Sequence, residues 1–442
     1  MNVLKFGGTS VGSPQRIKDV ADLICDGNPK IVVLSAMAKT TNTLLEIADY
    51  LYKKNPEGAN DVINRLEQQY IAHVNELYAT EHYREQTMKA IREQFDYIRS
   101  FTKDIFTPHE EKAIVAQGEL LSTRMMLNLL LERGINAVML PALDYMRIDE
   151  NGEPETGIIK ENIAKLLSTL PKGDIYITQG FICRNPYGEV DNLKRGGSDY
   201  SASLVGAAIN ADEIQIWTDI DGMHNNDPRV VDATSPVRYL HFEEAAELAY
   251  FGAKILHPTC IQPAKFANIP VRLLNTMEPE APGTLISNEC DAVEIKAVAA
   301  KDNITAIRIK SSRMLLAHGF LRKVFEIFES YATPIDMICT SEVGVSLSID
   351  DTTHLRNIVD ELKKYGTVSV DRDMCIVCVV GNMEWTNTGF EAKALDAMRD
   401  IPTRMISYGG SDYNISFLIR AEDKKRALQS LSDHLFNVGS ND

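Results

Sequence analysis

Two glycine turns in this sequence stand beside cations. The first is Lys5-Phe6-Gly7-Gly8-Thr9-Ser10, at the end of an apolar run over residues 3–6 and ahead of a helical pattern from Pro14. Strand, glycine turn and helix start together expose backbone N–H groups to an anion, and a lysine at the turn adds charge. A tight turn with an exposed lysine is the plainer alternative. The second is Lys194-Arg195-Gly196-Gly197-Ser198-Asp199-Tyr200, which runs into a small-residue helix over 201–209 that Ser198 or Asp199 would cap. The same Gly-Gly-Ser-Asp-Tyr returns at 409–413 without a neighbouring cation and ahead of an alternating strand. That copy reads as a turn. Other polar clusters end apolar runs: residues 35–42, Gly118-Glu119, Trp217-Thr218-Asp219 and Asp227-Pro228-Arg229. Cations and N–H groups gathered around phosphates are what phosphoryl transfer asks of a protein. The usual nucleotide signatures are absent, with neither G-x-x-x-x-G-K-[ST] nor G-x-G-x-x-G present.

The elements that must position these residues alternate. Residues 3–6, 30–34, 137–140, 175–179, 213–218 and 271–274 read as buried strands, mostly separated by helical stretches. That pattern predicts an α/β domain with a largely parallel sheet between helices. In such sheets ligands bind beyond the carboxyl ends of the strands, where the clusters at 35–42 and 217–219 fall, while Gly118-Glu119 begins a helical pattern. Residues 51–104, charged and poor in breakers, read as a helical insertion.

Beyond residue 295 an internal repeat begins. A strand over 304–309 precedes Gly319-Phe320 and a helix with Leu321, Val324, Phe325, Phe328 and Tyr331 on one face. Pro334, Met337-Ile338, Ser341-Glu342 and an alternating strand, Val345, Leu347, Ile349, follow. The order recurs as a strand over 375–380, Gly389-Phe390, Pro402, Met405-Ile406, Ser411-Asp412 and Ile415, Phe417, Ile419. Two ferredoxin-like βαββαβ units of about 70 residues in tandem account for it. Cys375 and Cys378 form a C-x-x-C inside an apolar run, where strand alternation points them to opposite faces. We read them as packing residues.

Bulk numbers bound the function. The chain has 442 residues, 44% apolar and 24% charged, enough for several cores. Lys and Arg number 46 against 62 Asp and Glu, a formal charge of −16. That balance repels nucleic acid and anionic membrane, so neither is expected as a partner. No signal peptide and no apolar stretch of membrane-spanning length is read, and the seven scattered cysteines suit a reducing cytoplasm.

Taken together, the motifs at 5–10, 35–42, 118–119, 195–200, 217–222, 227–230 and 251–258 resemble, in order and spacing, those of monofunctional aspartate kinases. That family has the amino-acid-kinase fold, which lacks a Walker loop, and C-terminal paired ACT domains. The resemblance implies a catalytic domain over 1–293, with ACT units over 296–366 and 367–442. It implies ATP and L-aspartate as substrates with Mg²⁺, 4-phospho-L-aspartate and ADP as products, and the entry step to lysine, threonine and methionine. Lys5, with Phe6, Gly7 and Gly8, would hold the transferring phosphates, and Asp199 would organise the catalytic cations. Arg195 would grip a carboxylate of aspartate, Glu119 its ammonium, and Thr41 and Ser198 would complete its site. Thr218, Asp219, His224, Arg229, Lys254 and Ile255 would line the nucleotide. No metal-ligating set of the protein's own is expected.

Similar enzymes have glycine at Lys194 and tyrosine at His224. Lys194 is expected to add a cation beside the substrate loop. The ACT units imply an amino-acid effector, lysine ahead of threonine, met by Met314, Phe320, Leu321, Asp336, Thr340, Ser341 and Glu342, and a homodimer formed through these units. Ala317 stands where a serine is expected near that ligand. The competing readings are another amino-acid kinase, acting on glutamate or a nucleotide, and a catalytically inactive amino-acid sensor. A sensor would be expected to lose Lys5, Asp199 or Arg195, and all three are present. A fused dehydrogenase would need a further dinucleotide motif within the chain.

Overall fold

Strand Asn2–Phe6 lies between two parallel neighbours, Lys30–Leu34 on one side and Ile214–Thr218 on the other, so that Phe6 faces Leu34 and Trp217. The structure, a computed structural model, describes residues 1–103, 105–194, 196–252, 256–289, 295–311 and 318–436. The chain divides into two compact units: Met1–Met223 with Leu256–Glu289, and His224–Ile255 with Cys290–Asp442.

In the first unit the sheet runs Ala137–Met139, Ile175–Gln179, Lys30–Leu34, Asn2–Phe6, Ile214–Thr218, Val271–Asn275, Thr284–Ser287. All pairs are parallel except the last, which is antiparallel. Residues 30–34 and 175–179 are buried at every position, as parallel strands covered on both faces require. Even Lys30 is enclosed. Its ammonium donates to the Ile24 carbonyl at 2.8 Å and pairs with Asp26. Phe6 stacks on Trp217, centroids 5.7 Å apart. The chain leaves the first strand toward Lys30–Leu34 on one side and later adds Ile214–Thr218 on the other. The strand order therefore reverses beside Asn2–Phe6, and the crevice at its carboxyl end is where a ligand fits.

Helix Pro14–Ile24, which comes after the first glycine turn, starts well: Ser13 Oγ accepts from Arg16 N–H at 3.3 Å and Pro14 takes the first position. Helices Pro56–Leu77 and Glu81–Ser100 pack on each other through Ile63, Tyr70 and Val74 against Ile91, Phe95 and Ile98. Each such fully buried side chain contributes about 1.5–3 kcal/mol of transfer free energy. No helix among the described residues is long and apolar enough to cross a membrane.

The second unit is built on an antiparallel sheet in the order Met337–Ser341, Gly344–Ile349, Ile295–Lys310, Thr367–Gly381, Asn414–Arg420, Thr403–Tyr408. Residues 305–310 pair with 344–349, and 306–310 with 367–371, so 304–371 forms one complete ferredoxin-like unit. The second is interleaved with it. Its inner strands are 374–381 and 414–420, and the edge beside 374–381 is filled by 295–301, from ahead of the first unit. Chain order alone does not reveal this, because the first strand of the repeat read in the sequence is 304–309, and 295–301 has no counterpart in the second copy. The alternation is read correctly: Val345, Leu347, Ile349, Phe417 and Ile419 are fully buried. Cys375 and Cys378 are fully buried in the same sheet. The sheet curls enough for its two edges to meet, the Cys339 thiol donating to the Ile406 carbonyl at 3.2 Å.

Candidate active site

Lys5 is the last residue but one of its strand, and its ammonium lies 2.6 Å from Asp199 Oδ1, with both side chains largely enclosed. The two glycine turns, far apart in sequence, therefore face each other across the carboxyl edge of the sheet. Gly7 N–H donates to the Trp217 carbonyl at 3.4 Å. At Gly8 a Cβ would lie 2.8 Å from the Ala36 carbonyl oxygen, so only glycine lets the turn pass that close. Removing one partner from the Lys5–Asp199 pair would strand a charge, at about 3–5 kcal/mol for a buried pair.

The second turn is seated from below. Gly196 has φ +69° and its missing Cβ would overlap the Cys260 sulfur. Gly196 and Gly197 lead into helix Gly197–Ile209, whose Ser198 hydroxyl accepts from Ser35 Oγ at 2.9 Å. Ser201 Oγ accepts from Phe181 N–H at 2.8 Å. Arg195 lies outside the described residues. Lys194 turns away from the expected substrate loop and donates to the Asn151 carbonyl instead.

Glu119 occupies the first turn of helix Gln117–Glu132 and is 3% exposed. Its Oε1 accepts from Ala36 N–H at 3.1 Å, while Oε2 is buried without a partner among the described residues. Burial pushes its carboxyl up to about 8, against a smaller lowering by the Ala36 N–H. A buried carboxylate oxygen with nothing to accept from is a place for a cation or an N–H donor. Thr41 is half-buried at the start of helix Thr40–Tyr52, where the preceding Thr40 Oγ1 meets the Tyr70 hydroxyl at 2.9 Å. Thr218 ends its strand and accepts from Ile220 N–H at 3.1 Å, with Asp219 exposed beside it.

The other residues assigned to the nucleotide belong to the second unit. His224 Nδ1 lies 2.9 Å from Thr234 Oγ1. Arg229 forms a two-pronged pair with Asp227 at 2.9 and 2.8 Å, which holds the Asp227 carboxyl below its usual range. Lys254 and Ile255 lie outside the described residues.

Of the effector set, Met314 also lies outside the described residues. Phe320 and Leu321 open helix Phe320–Ser330, the first buried and the second partly exposed. Thr340 and Ser341 end strand Met337–Ser341, and Glu342 sits in the turn to the next strand, all three exposed. Asp336 differs from them. Its side chain is 1% exposed and already paired with Lys301 at 2.7 Å. The sequence pattern does not single out this cation, which only closes the apolar run 297–300. Nor does it join Ser35 to Ser198, or mark Cys260 beneath Gly196.

An amino acid kinase family model matches residues 1–275, and an ACT domain model matches residues 377–435. The chain is similar to the lysine-sensitive aspartokinase 3 of Escherichia coli, 34% identical over 98% of this chain and 99% of that one. It is also similar to the crystal structure of E. coli aspartokinase III in complex with aspartate and ADP (R-state). That match has a TM-score of 0.83 and 33% identity, covering 99% of this chain and all of that one. The complex of the same enzyme with lysine and aspartate (T-state) matches with a TM-score of 0.81 and 33% identity over 99% of each chain. With an enclosed lysine–aspartate pair at the point where the strand order reverses, and likeness running nearly end to end, the chain belongs to the amino acid kinase family and, within it, to the aspartokinases.

Proposed function

We propose that the chain transfers the γ-phosphoryl group of ATP to the side-chain carboxylate of L-aspartate, giving 4-phospho-L-aspartate and ADP. The reading rests on one observation above others: a buried, half-satisfied Glu119 carboxylate in the same unit as a Lys5–Asp199 pair at the sheet's carboxyl edge. The acceptor is an acid of ordinary pKa near 4 and is already ionised at neutral pH, so no general base is needed. The difficulty is bringing two anions together in a chain of net charge −16. An aspartate oxygen forms the new bond to the γ-phosphorus as the bond to the β–γ bridging oxygen breaks, and the electron pair leaves on ADP. Lys5, at the turn of Phe6, Gly7 and Gly8, neutralises the moving charge. Arg195 and Glu119 grip the carboxylate and ammonium of aspartate, and Thr41 and Ser198 complete its site. Thr218 and Asp219 meet the nucleotide. Mg²⁺ would come with ATP and supply charge neutralisation on the phosphates, and Asp199, 2.6 Å from Lys5, would help to hold it.

Asp336, Thr340, Ser341 and Glu342, with Met314, Phe320 and Leu321, take lysine as a feedback effector. The likeness to a lysine-sensitive enzyme supports this, and threonine is the second choice. Partly exposed Leu321, Phe325 and Val343 favour a homodimer through these units. Unpaired cysteines at 25, 183, 260, 339, 375 and 378 favour a reducing cytoplasm. In this reading residues 1–293 catalyse and 296–366 and 367–442 regulate, although 295–301 completes the sheet of the last unit and 224–255 group with the second compact unit.

ADP release measured with aspartate, glutamate or no acceptor, with and without L-lysine or L-threonine, tests this. Release should require aspartate and fall on adding lysine. Equal release without any acceptor would refute the kinase reading, and equal rates with lysine the effector.

A further inference from the structure

Lys301 stands in strand Ile295–Lys310, where the apolar run 297–300 gives way to Asp302 and Asn303. Its ammonium is shared by Asp336 Oδ1 at 2.7 Å and Asp350 Oδ2 at 2.9 Å, and lies 4.4 Å from the centre of the Tyr250 ring. The Tyr250 hydroxyl donates to the same Asp336 Oδ1 at 2.8 Å. One carboxylate oxygen therefore takes two donors, while the other, Oδ2, is buried with no partner among the described residues. Tyr250 closes helix Phe242–Tyr250, and its ring meets Phe251 edge-on at 5.1 Å. Gly252 (φ +129°) passes so close to the Ala300 carbonyl that a Cβ would overlap it. Tyr250, Phe251 and Gly252 are thus held against Ala300 and Lys301, at the start of the 251–258 motif.

We propose that Tyr250 carries the occupancy of Asp336 into the chain at Phe251 and Gly252. The inference rests on the reading of 336–342 as the effector site. The ammonium of an amino-acid effector takes Oδ2, and Asp336 then divides its charge among more donors. Lys301 keeps Asp350, whereas Tyr250 has a single proton to donate. Its hydrogen bond is the one that loosens, and Phe251 and Gly252 shift with it. The coupling needs differential contact in the two states, and this hydrogen bond supplies it.

Tyr250→Phe removes only the hydroxyl. In the full chain, calorimetry with L-lysine should give a Kd within about threefold of the parent, and the uninhibited rate should hold within about twofold, while inhibition at saturating lysine weakens about tenfold. Asp336→Asn should lose lysine binding and inhibition together, separating capture from transmission. A Tyr250→Phe chain inhibited as strongly as its parent at equal occupancy would overturn the proposal. So would one that loses binding and inhibition in parallel, since Tyr250 would then belong to the pocket. If the parent itself neither binds nor responds to lysine or threonine, the effector reading fails and this inference falls with it.

Discussion

The pentapeptide Gly-Gly-Ser-Asp-Tyr is built twice, at 196–200 and 409–413, and the two copies fold to different ends. At 196–200 both glycines have positive φ, +69° and +47°, and the chain enters a helix of small residues. Gly196 rests on Cys260 and Asp199 reaches Lys5. At 409–413 only Gly409 has positive φ, a Cβ on either glycine would meet open space, and an alternating strand comes next. There Tyr413 stacks on His241, centroids 5.2 Å apart. A short motif sets local turn chemistry. Whether it becomes a site depends on the element it leads into and on the surface it is pressed against.

Breaking the first copy's charge pair should have the largest effect. Lys5→Ala and Asp199→Asn should each lower kcat by about a hundredfold or more, as when preorganised charge at a developing anion is lost, with far-ultraviolet circular dichroism unchanged. Asp412→Asn, the matching change in the second copy, should leave kcat alone. An equal loss in both would erase the contrast. Gly196→Ala comes next. A strained φ adds about 1 kcal/mol to the steric overlap with Cys260, so the aspartate KM should rise at least tenfold and the melting temperature should fall.

Glu119 sharpens the contrast through pH. Without ligand its carboxyl is largely protonated at neutral pH, whereas an ammonium ligand favours the carboxylate, so binding releases a proton. The aspartate KM should fall by up to about tenfold per unit as pH rises toward 8 and flatten above it, and Glu119→Gln should abolish that slope. In the free protein the same group costs stability as pH rises from 4.5 to about 8, because the unfolded chain releases its proton first. Melting temperatures measured across that window should show a shallower fall in Glu119→Gln. The smallest effects belong to the second copy. Gly409→Ala should cost about 1 kcal/mol in urea unfolding through its positive φ alone, and Gly410→Ala less than about 0.5 kcal/mol.

Much of the fold was legible in the sequence because the first unit's strands are short apolar runs with polar residues at their ends. The alternation of Val345, Leu347 and Ile349 likewise gave away an inward face. Contacts between distant segments left no such mark. Cys260 is one apolar residue among many until Gly196 is laid on it. Lys194 looks like a substrate cation until the 149–152 turn offers it a carbonyl. Asp336 reads as a free ligand because the lysine that neutralises it sits 35 residues away. The sharing of strand 295–310 between two units is invisible to a repeat search, which assumes that each copy owns its strands.

That shared strand carries a mechanical consequence. Residues 295–310 and 367–381 form one unbroken antiparallel ribbon, half in each regulatory unit, with register shifts near its middle. The two units are therefore two ends of a single beam rather than beads on a thread, and a twist applied to one end loads the other directly. Cutting the chain at 367 would not release the second unit intact. It would leave strand 374–381 with an open edge, ready to pair with another molecule.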